Sequence, residues 1–344
     1  MERLLELITK KSIDEDLTTI LTNMYSISSI DFIEVGKWFL FLNIPAIVFL
    51  FIVKNPVVFL KLFLRCRIFQ LGFFKRQIAV GEQLFSYIER GNSSSKKTSL
   101  LFIHGYSNSK EIFLDVIAWL PRDLHVISVD LPGHGESMWD EKDQVSITNY
   151  VDKIHQFVQA VGLNKKKFHI VGESMGGHIA GVYSATHPSS IEKTTLMCPH
   201  GIKFDQMEKM KAEYERTGHC ILLPDSLQTV REMFECVLHK KFPFPDFVLN
   251  GILQMRLQND DFNKKLLLRL VSSEDEDLLE RSLHNIRSPC TLLWGKQDKI
   301  LDVSCADKIK SNLPNLKKTV IFDDAGHVLS IDCPRKVASN LMEC

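Results

Sequence analysis

The chain contains no C-x-x-C pair and no tight cluster of cysteine and histidine. Its eight cysteines (Cys66, Cys198, Cys220, Cys236, Cys290, Cys305, Cys333 and Cys344) are scattered along 344 residues. A structural zinc site needs closely spaced ligands, so none is expected. Nor does a chain this long need disulfide staples, and reduced thiols in a cytosol-facing protein are the expectation. Net charge is lacking too, with 42 basic residues against 42 acidic ones. No global basic field points to nucleic acid and no acidic tail to a basic partner. The phosphate-loop pattern G-x-x-x-x-G-K-[ST] is also missing. The glycine-rich DLPGHGES at 130–137 therefore reads as a structural turn bordering a site. What remains is ordinary for a globular protein with a substantial core, 45% hydrophobic and 24% charged. The length suits one large domain or two small ones.

One uncharged run stands out, WFLFLNIPAIVFLFIV at 38–53. Sixteen residues fall slightly short of the roughly 20 a bilayer span needs, and flanking residues extend the segment to about 36–56. Pro45 is tolerable in a membrane helix. A cleaved signal peptide fits poorly, because the run begins late and no small-residue cleavage site follows. A buried core helix would still have to pack a run that is apolar on every side. The expectation is a single-pass membrane anchor. Lys54, Lys61, Arg65, Arg67, Lys75 and Arg76 follow it. Cations stay on the cytoplasmic side, which places the rest of the chain in the cytosol. The second apolar run, 57–64, contains Lys61 and reads as an amphipathic segment lying in the interface. Asn92-Ser93-Ser94 is a glycosylation sequon that cytosolic placement leaves unused, so it tests the topology.

Beyond this N-terminal segment (1–70), a hairpin is expected around Gly81-Glu82 and a polar loop at 91–97. Continuous apolar strings then mark strands at 99–103, 125–130, 168–171, 194–197, 290–294 and 319–322, with helical periodicity over 147–161. Strings without alternation suit a parallel sheet buried on both faces. Their alternation with helices predicts a doubly wound α/β domain. The stretch from about 199 to 284 breaks that rhythm. MEKMKAEYER, LQTVREMFECVLHKK and FNKKLLLRLVS read as amphipathic helices. The expected organisation is a core in two parts, 71–198 and 285–344, separated by a helical cap at 199–284.

GESMGGHIAG at 172–181 holds a G-x-S-x-G pattern centred on Ser174. The pattern alone is weak. It gains weight because a strand runs into it and a helix is expected from Met175, the strand–turn–helix that exposes a nucleophile. Two N–H donors must then face a tetrahedral oxyanion. The candidates are the backbone amides of Met175 and of Tyr106, the latter in the loop after the strand at 99–103. His104 in that loop is read as fixing its shape. An acid and a histidine must follow in that order. Asp298 in WGKQDKI and His327 in FDDAGHVLS both lie just past strands, where open α/β sheets build their sites. His327 can take the Ser174 proton, and Asp298 can orient the imidazole and stabilise its cation. Asp302, Asp323 and Asp324 are weaker rivals for the acid. His200 is read as structural.

Taken together, HGY at 104–106, DLPGHGES, GESMGG, WGKQD and GH at 326–327 resemble the α/β-hydrolase fold family over about residues 75–344. The N-terminal anchor, CPHGI and WGKQDKILDVS narrow the likeness to its membrane-bound monoacylglycerol lipases. That resemblance implies an α/β-hydrolase fold, a Ser174–Asp298–His327 triad and no metal or organic cofactor. It also implies cleavage of monoacylglycerols, including 2-arachidonoylglycerol, and of lysophospholipids by a catalytic domain at the cytosolic face of a bilayer. Nucleic acid is not an expected partner, and the sequence names no protein partner. Three other readings remain. His327 and Asp332 make an H-x-x-x-x-D pattern found in some acyltransferase relatives, which would transfer an acyl group to a lysophospholipid. Epoxide hydrolases and dehalogenases use an aspartate nucleophile, against which Ser174 argues. A membrane scaffold with a hydrolase body is the third.

Overall fold

The computed structural model describes residues 37, 48, 50–94, 96–271 and 275–343. The chain divides into two compact units, Met1–Pro56 and Val57–Cys344. Residues 50–54 of the first are helical. Most of the expected anchor over 36–56 lies outside the described residues. Among the described residues, no helix is long and apolar enough to cross a membrane. Helix α1 (Pro56–Gln70) leads into the second unit and leaves Val58, Leu62, Phe63 and Phe69 exposed.

The second unit is built on eight strands: β1 (Phe74–Val80), β2 (Gln83–Arg90), β3 (Leu100–Ile103), β4 (Val126–Val129), β5 (Phe168–Glu173), β6 (Ile191–Met197), β7 (Cys290–Gly295) and β8 (Leu316–Phe322). They form one sheet in the order β1-β2-β4-β3-β5-β6-β7-β8. The β1–β2 and β2–β4 pairs are antiparallel, and every later pair is parallel. The β1–β2 hairpin turns at Gly81-Glu82, with Gly81 at φ 61°. All residues of β3, β4, β5 and β7 are buried. That is why their sequences are unbroken apolar strings rather than alternating ones. The expected strands are all present. β6 and β8 begin three residues earlier than expected, at Ile191 and Leu316. Their first residues include Glu192, Lys193, Lys317 and Lys318, whose charge hid the strand.

Helices pack on both faces of this sheet. α2 (Leu114–Ile117) follows the β3 loop. α3 (Ile147–Ala160) buries Ile147, Tyr150, Val151, Ile154, Phe157 and Val158, the stripe expected of one core-facing side. Ser146 caps it, its hydroxyl accepting from the Asn149 amide at 3.2 Å. α4 (Met175–Thr186) is buried along nearly its whole length and packs on β5 and β6. Between β6 and β7 the described residues hold no strand. They form α5 (Asp205–Thr217), α6 (Leu227–Val237), α7 (Asp246–Leu257), α8 (Asp260–Leu270) and α9 (Leu278–Ser282). Three of these match expected helices. α7 and α9 do not; in α7, Asn250 and Gly251 interrupt the periodicity. α6 ends at Val237, four residues short of its expected run. The Val237 carbonyl instead accepts the His327 and Val328 amides at 3.0 and 3.1 Å. α10 (Cys305–Asn312), α11 (Leu329–Asp332) and α12 (Pro334–Met342) complete the fold.

A buried ion pair ties the loop after β3 to the loop after β4. The Lys110 ammonium is fully buried, 2.6 Å from Asp130 Oδ2 and 3.0 Å from Glu111. Asp130 also accepts the Lys110 and Glu136 amides at 2.7 and 2.9 Å. Burial lowers the Lys110 pKa, but Asp130, Glu111 and Glu136 outweigh it and push it upward. Removing the carboxylate leaves a buried cation short of its main partner. Asp130→Ala is therefore expected to cost about 3–5 kcal/mol of stability. An unfolding free energy from denaturant titration within about 1 kcal/mol of wild type would contradict this.

Candidate active site

β5 delivers Ser174 into a turn that ordinary residues avoid. Ser174 sits at φ 58° and ψ −121°, and α4 starts at the next residue. The strain follows from packing. A Cβ on Gly172 would lie 2.0 Å from the Gly176 carbonyl oxygen, so only glycine lets strand and helix close this tightly. The turn holds the hydroxyl clear of the strand, as a nucleophile elbow does.

His327 follows β8 and Asp298 follows β7, as expected from the sequence; His327 meets Ser174, and Asp298 meets His327. The Ser174 hydroxyl donates to His327 Nε2 at 2.9 Å. His327 Nδ1–H donates to Asp298 Oδ2 at 2.8 Å. The other oxygen of Asp298 accepts the Ile300 and Leu301 amides at 2.8 and 2.9 Å, which locks the carboxylate toward the ring. Burial pushes the His327 pKa down. The charge and hydrogen bond of Asp298, with the charge of Glu173, outweigh it, so the imidazole ends above its usual value. The rival acids are engaged elsewhere. Asp302 accepts the Ser304 amide, Asp323 pairs with Lys296, and Asp324 pairs with Lys336.

Met175 opens α4, so its amide has no carbonyl four residues back in the helix. The loop bearing Tyr106 passes close by, since a Cβ on Gly105 would lie 3.1 Å from Ser174 Cβ. Of the two expected oxyanion donors, Met175 thus adjoins Ser174 in the chain, and Tyr106 adjoins Gly105, which packs against the Ser174 side chain. His104 shapes that loop: Nδ1–H donates to the Gly105 carbonyl at 2.8 Å, and Nε2 accepts the Leu131 amide at 3.0 Å. The helices between β6 and β7 reach the same loop. Tyr106 Oη donates to the Asn263 carbonyl at 2.8 Å, and Arg256 donates to the Ser107 carbonyl at 3.2 Å. Phe262 stands edge-on to His134 at 5.6 Å.

The base-bearing loop is braced from several sides. Asp332 accepts the Gly326, His239 and Lys240 amides at 2.7, 2.8 and 3.1 Å. In the H-x-x-x-x-D pattern this carboxylate is therefore a strut and not a free reactive group. A Cβ on Gly295 would lie 1.9 Å from the Gly326 carbonyl oxygen, so the ends of β7 and the base loop touch backbone to backbone. His200 is buried behind the nucleophile. Its amide donates to the Ser174 carbonyl at 3.1 Å, and its ring meets His178 with Nδ1 atoms 3.1 Å apart. Burial and the nearby His327 push His200 down to about 4, so it stays neutral. Sequence reasoning passed over Glu173, the variable position of G-x-S-x-G. It is buried, and it accepts from the Ser330 amide at 2.9 Å and the Ser330 hydroxyl at 2.6 Å. The only signal was an acidic residue inside an otherwise apolar strand end.

Among the described residues, one group brings metal-ligand atoms together: Cys198, Asp298 and His327, within 4.8 Å of one another. Its donors suit a hydrogen-bonded site better than a metal. His327 Nδ1 and both Asp298 oxygens are already engaged. Burial pushes the Cys198 thiol well up, which keeps its proton on.

A strained serine at a strand–helix turn, an acid and a histidine past two later strands, and a parallel sheet define a hydrolase of one architecture. Residues 98–334 match the α/β hydrolase fold family, and the chain belongs to it. Among curated proteins, it is similar to monoacylglycerol lipase ABHD6 of Bos taurus, 36% identical over 279 residues that cover 79% of this chain and 82% of the relative. The monoacylglycerol lipase abhd6-A of Xenopus laevis is 35% identical over 274 residues, covering 78% and 81%. Among solved structures, a putative lipase of Acinetobacter baumannii superposes with a TM-score of 0.75 at 27% identity, covering 82% of this chain and 94% of that one.

The glycine contacts give a direct check on the turn. Gly172→Ala forces a carbon into the Gly176 carbonyl and is expected to destabilise the fold by about 3 kcal/mol or more. A variant that unfolds at the wild-type temperature would contradict the contact.

Proposed function

We propose that the chain is a membrane-associated serine hydrolase that cleaves monoacylglycerols to fatty acid and glycerol. The observation that carries the reading is the Ser174–His327–Asp298 hydrogen-bonded line at 2.9 and 2.8 Å. The likeness to monoacylglycerol lipases supplies the substrate class.

In this mechanism Ser174 Oγ attacks the ester carbonyl while His327 Nε2 takes its proton. Asp298 holds the imidazole by Nδ1–H and stabilises the cation as it forms. The Met175 and Tyr106 amides receive the oxyanion, each such donor contributing about 3–4 kcal/mol in a dry site. His327 returns the proton to the departing glycerol oxygen, leaving an acyl-serine. Water then attacks with His327 again as base, and the fatty acid leaves. Each step uses protein groups and water alone.

The same proposal assigns residues 199–284 as a cap over the acyl pocket, inserted between core segments 71–198 and 285–344. Its helices touch the Tyr106 loop through Asn263 and Arg256, which supports that placement. Residues 36–56 are assigned as a single-pass anchor within an N-terminal segment of 1–70, with the catalytic domain at the cytosolic face. The apolar run at 38–53 and the basic residues after it support this. So do the exposed Val58, Leu62, Phe63 and Phe69 beside Lys61 and Arg65 on α1.

Membranes carrying the chain are expected to release fatty acid preferentially from a 2-monoacylglycerol over di- and triacylglycerol, a lysophospholipid and a short soluble ester. Ser174→Ala should lower that rate at least about 10³-fold. Cleavage of the soluble ester alone would overturn the lipid assignment, and mutant-insensitive cleavage the nucleophile.

The pH profile offers a second check. Activity needs neutral His327, whose pKa lies above its usual value of about 6.5. The acidic limb of kcat/KM should therefore fall above that pH. Stability runs the other way. A raised folded-state pKa adds stability that is present at acid pH and lost as pH rises through it. A limb below pH 6 would contradict the assignment.

A further inference from the structure

Glu173 is an acidic side chain with no exposure to solvent that would explain it. It lies at the last position of β5, next to the nucleophile, and is buried. Buried carboxylates are costly unless every lone pair meets a donor. This one is well supplied. Oε1 accepts the Ser330 amide at 2.9 Å, and Oε2 accepts the Ser330 hydroxyl at 2.6 Å. The second distance lies in the short range of charge-assisted O–H···O contacts. Burial pushes the carboxyl above its usual range, opposed by the Ser330 hydrogen bonds, the charge of His327 and the Leu329 amide.

The partner's position matters as much as its chemistry. Ser330 lies three residues after His327, on the segment that carries the base. Glu173 adjoins Ser174 on the segment that carries the nucleophile. The contact spans 157 residues and joins the two halves of the Ser174–His327 hydrogen bond. We propose that Glu173 is a positioning residue for the His327 base: its carboxylate straps the nucleophile turn to the base loop and sets a second negative charge behind the imidazole. This rests on the reading of Ser174 and His327 as nucleophile and base.

The charge has a defined role in the cycle. His327 is neutral before attack and cationic once it holds the Ser174 proton. Asp298 stabilises that cation through Nδ1–H. Glu173 adds attraction from the Ser174 side without competing for a ring nitrogen, both of which are occupied. Its charge acts on the ring in the same direction as that of Asp298. The other groups around the ring do not duplicate this. His200 faces His327 as a neutral ring, and the Cys198 thiol beside Asp298 keeps its proton. The Cys333 thiol near Glu173 is likewise pushed up to about 12. Asp332 is committed to the Gly326, His239 and Lys240 amides.

The test uses the full chain in membranes, a soluble short-chain ester, and kcat and KM across pH. Glu173→Gln removes the charge and keeps a hydrogen-bonding side chain, Glu173→Asp keeps the charge, and Ser330→Ala removes one donor. Glu173→Gln should lower plateau kcat about 10-fold with KM unchanged, and move the acidic limb to lower pH. At pH 6 it should keep at least roughly twice the wild-type fraction of its own plateau rate. Glu173→Asp should leave the limb at the wild-type pH, and Ser330→Ala should lower kcat with KM held. An unmoved limb in folded Glu173→Gln overturns the electrostatic role. If Glu173→Gln does not fold, Glu173→Thr takes its place. If neither folds, Ser330→Ala decides, and an unchanged kcat overturns the strap. Ser174→Ala run alongside separates the two claims. Activity surviving in Ser174→Ala sinks the nucleophile reading, whereas an inactive Ser174→Ala with an unmoved limb sinks only the role of Glu173.

Discussion

The hydrogen bond from Ser174 to His327 Nε2 closes a gap of 153 residues, and most of the local architecture serves to hold it. Neither residue can be placed by its own segment alone. Ser174 is forced out of the strand by a backbone conformation at φ 58° that a serine adopts only when its surroundings over-determine it. The surroundings here are backbone against backbone, with Gly172 admitting the Gly176 carbonyl. His327 sits on a loop without regular structure, and a loop carries no geometry of its own. Its position is imposed by contacts from four directions: Val237 at the end of α6, Asp332, the end of β7 at Gly295, and Glu173 on the nucleophile side. Preorganisation of this kind lets a weak nucleophile react, because the proton acceptor is already in place when the ester arrives.

The site also sits where the sheet makes it cheap to build. Chain order and spatial order diverge at β4-β3-β5, so connections leave in opposite directions and open a crevice at the strand ends. The loop after β3 and the turn after β5 both lie at those strand ends. The buried Lys110–Asp130 pair holds the β3 loop against the β4 turn, the DLPGHGES segment that sequence reading treated as a structural border. A charged pair in that position is a hard constraint, since removing either partner strands the other in a dry interior.

Much of this was legible in the sequence, for physical reasons that can be named. Strands buried on both faces must be apolar throughout, so β3, β4, β5 and β7 announced themselves as strings. The order serine, acid, histidine at successive strand ends pointed to Asp298 and His327, and the structure sets His327 against Ser174 and Asp298 against His327. Charge masked the first turns of β6 and β8, which start at the rim of the sheet. α7 was missed because Asn250 and Gly251 interrupt its periodicity. The strap from Glu173 to Ser330 and the amide cluster on Asp332 depend on contacts between distant segments, which no local pattern encodes. The apolar run at 38–53 reads clearly as a composition, but it falls mostly outside the described residues.

The most direct test of the central claim is covalent capture of the nucleophile. The full chain in membranes would be treated with a fluorophosphonate, digested and mapped by mass spectrometry. The account predicts one adduct, on the peptide bearing Ser174, forming slowly when His327 is replaced by alanine. An adduct on another residue, or labelling at an equal rate without His327, would contradict it.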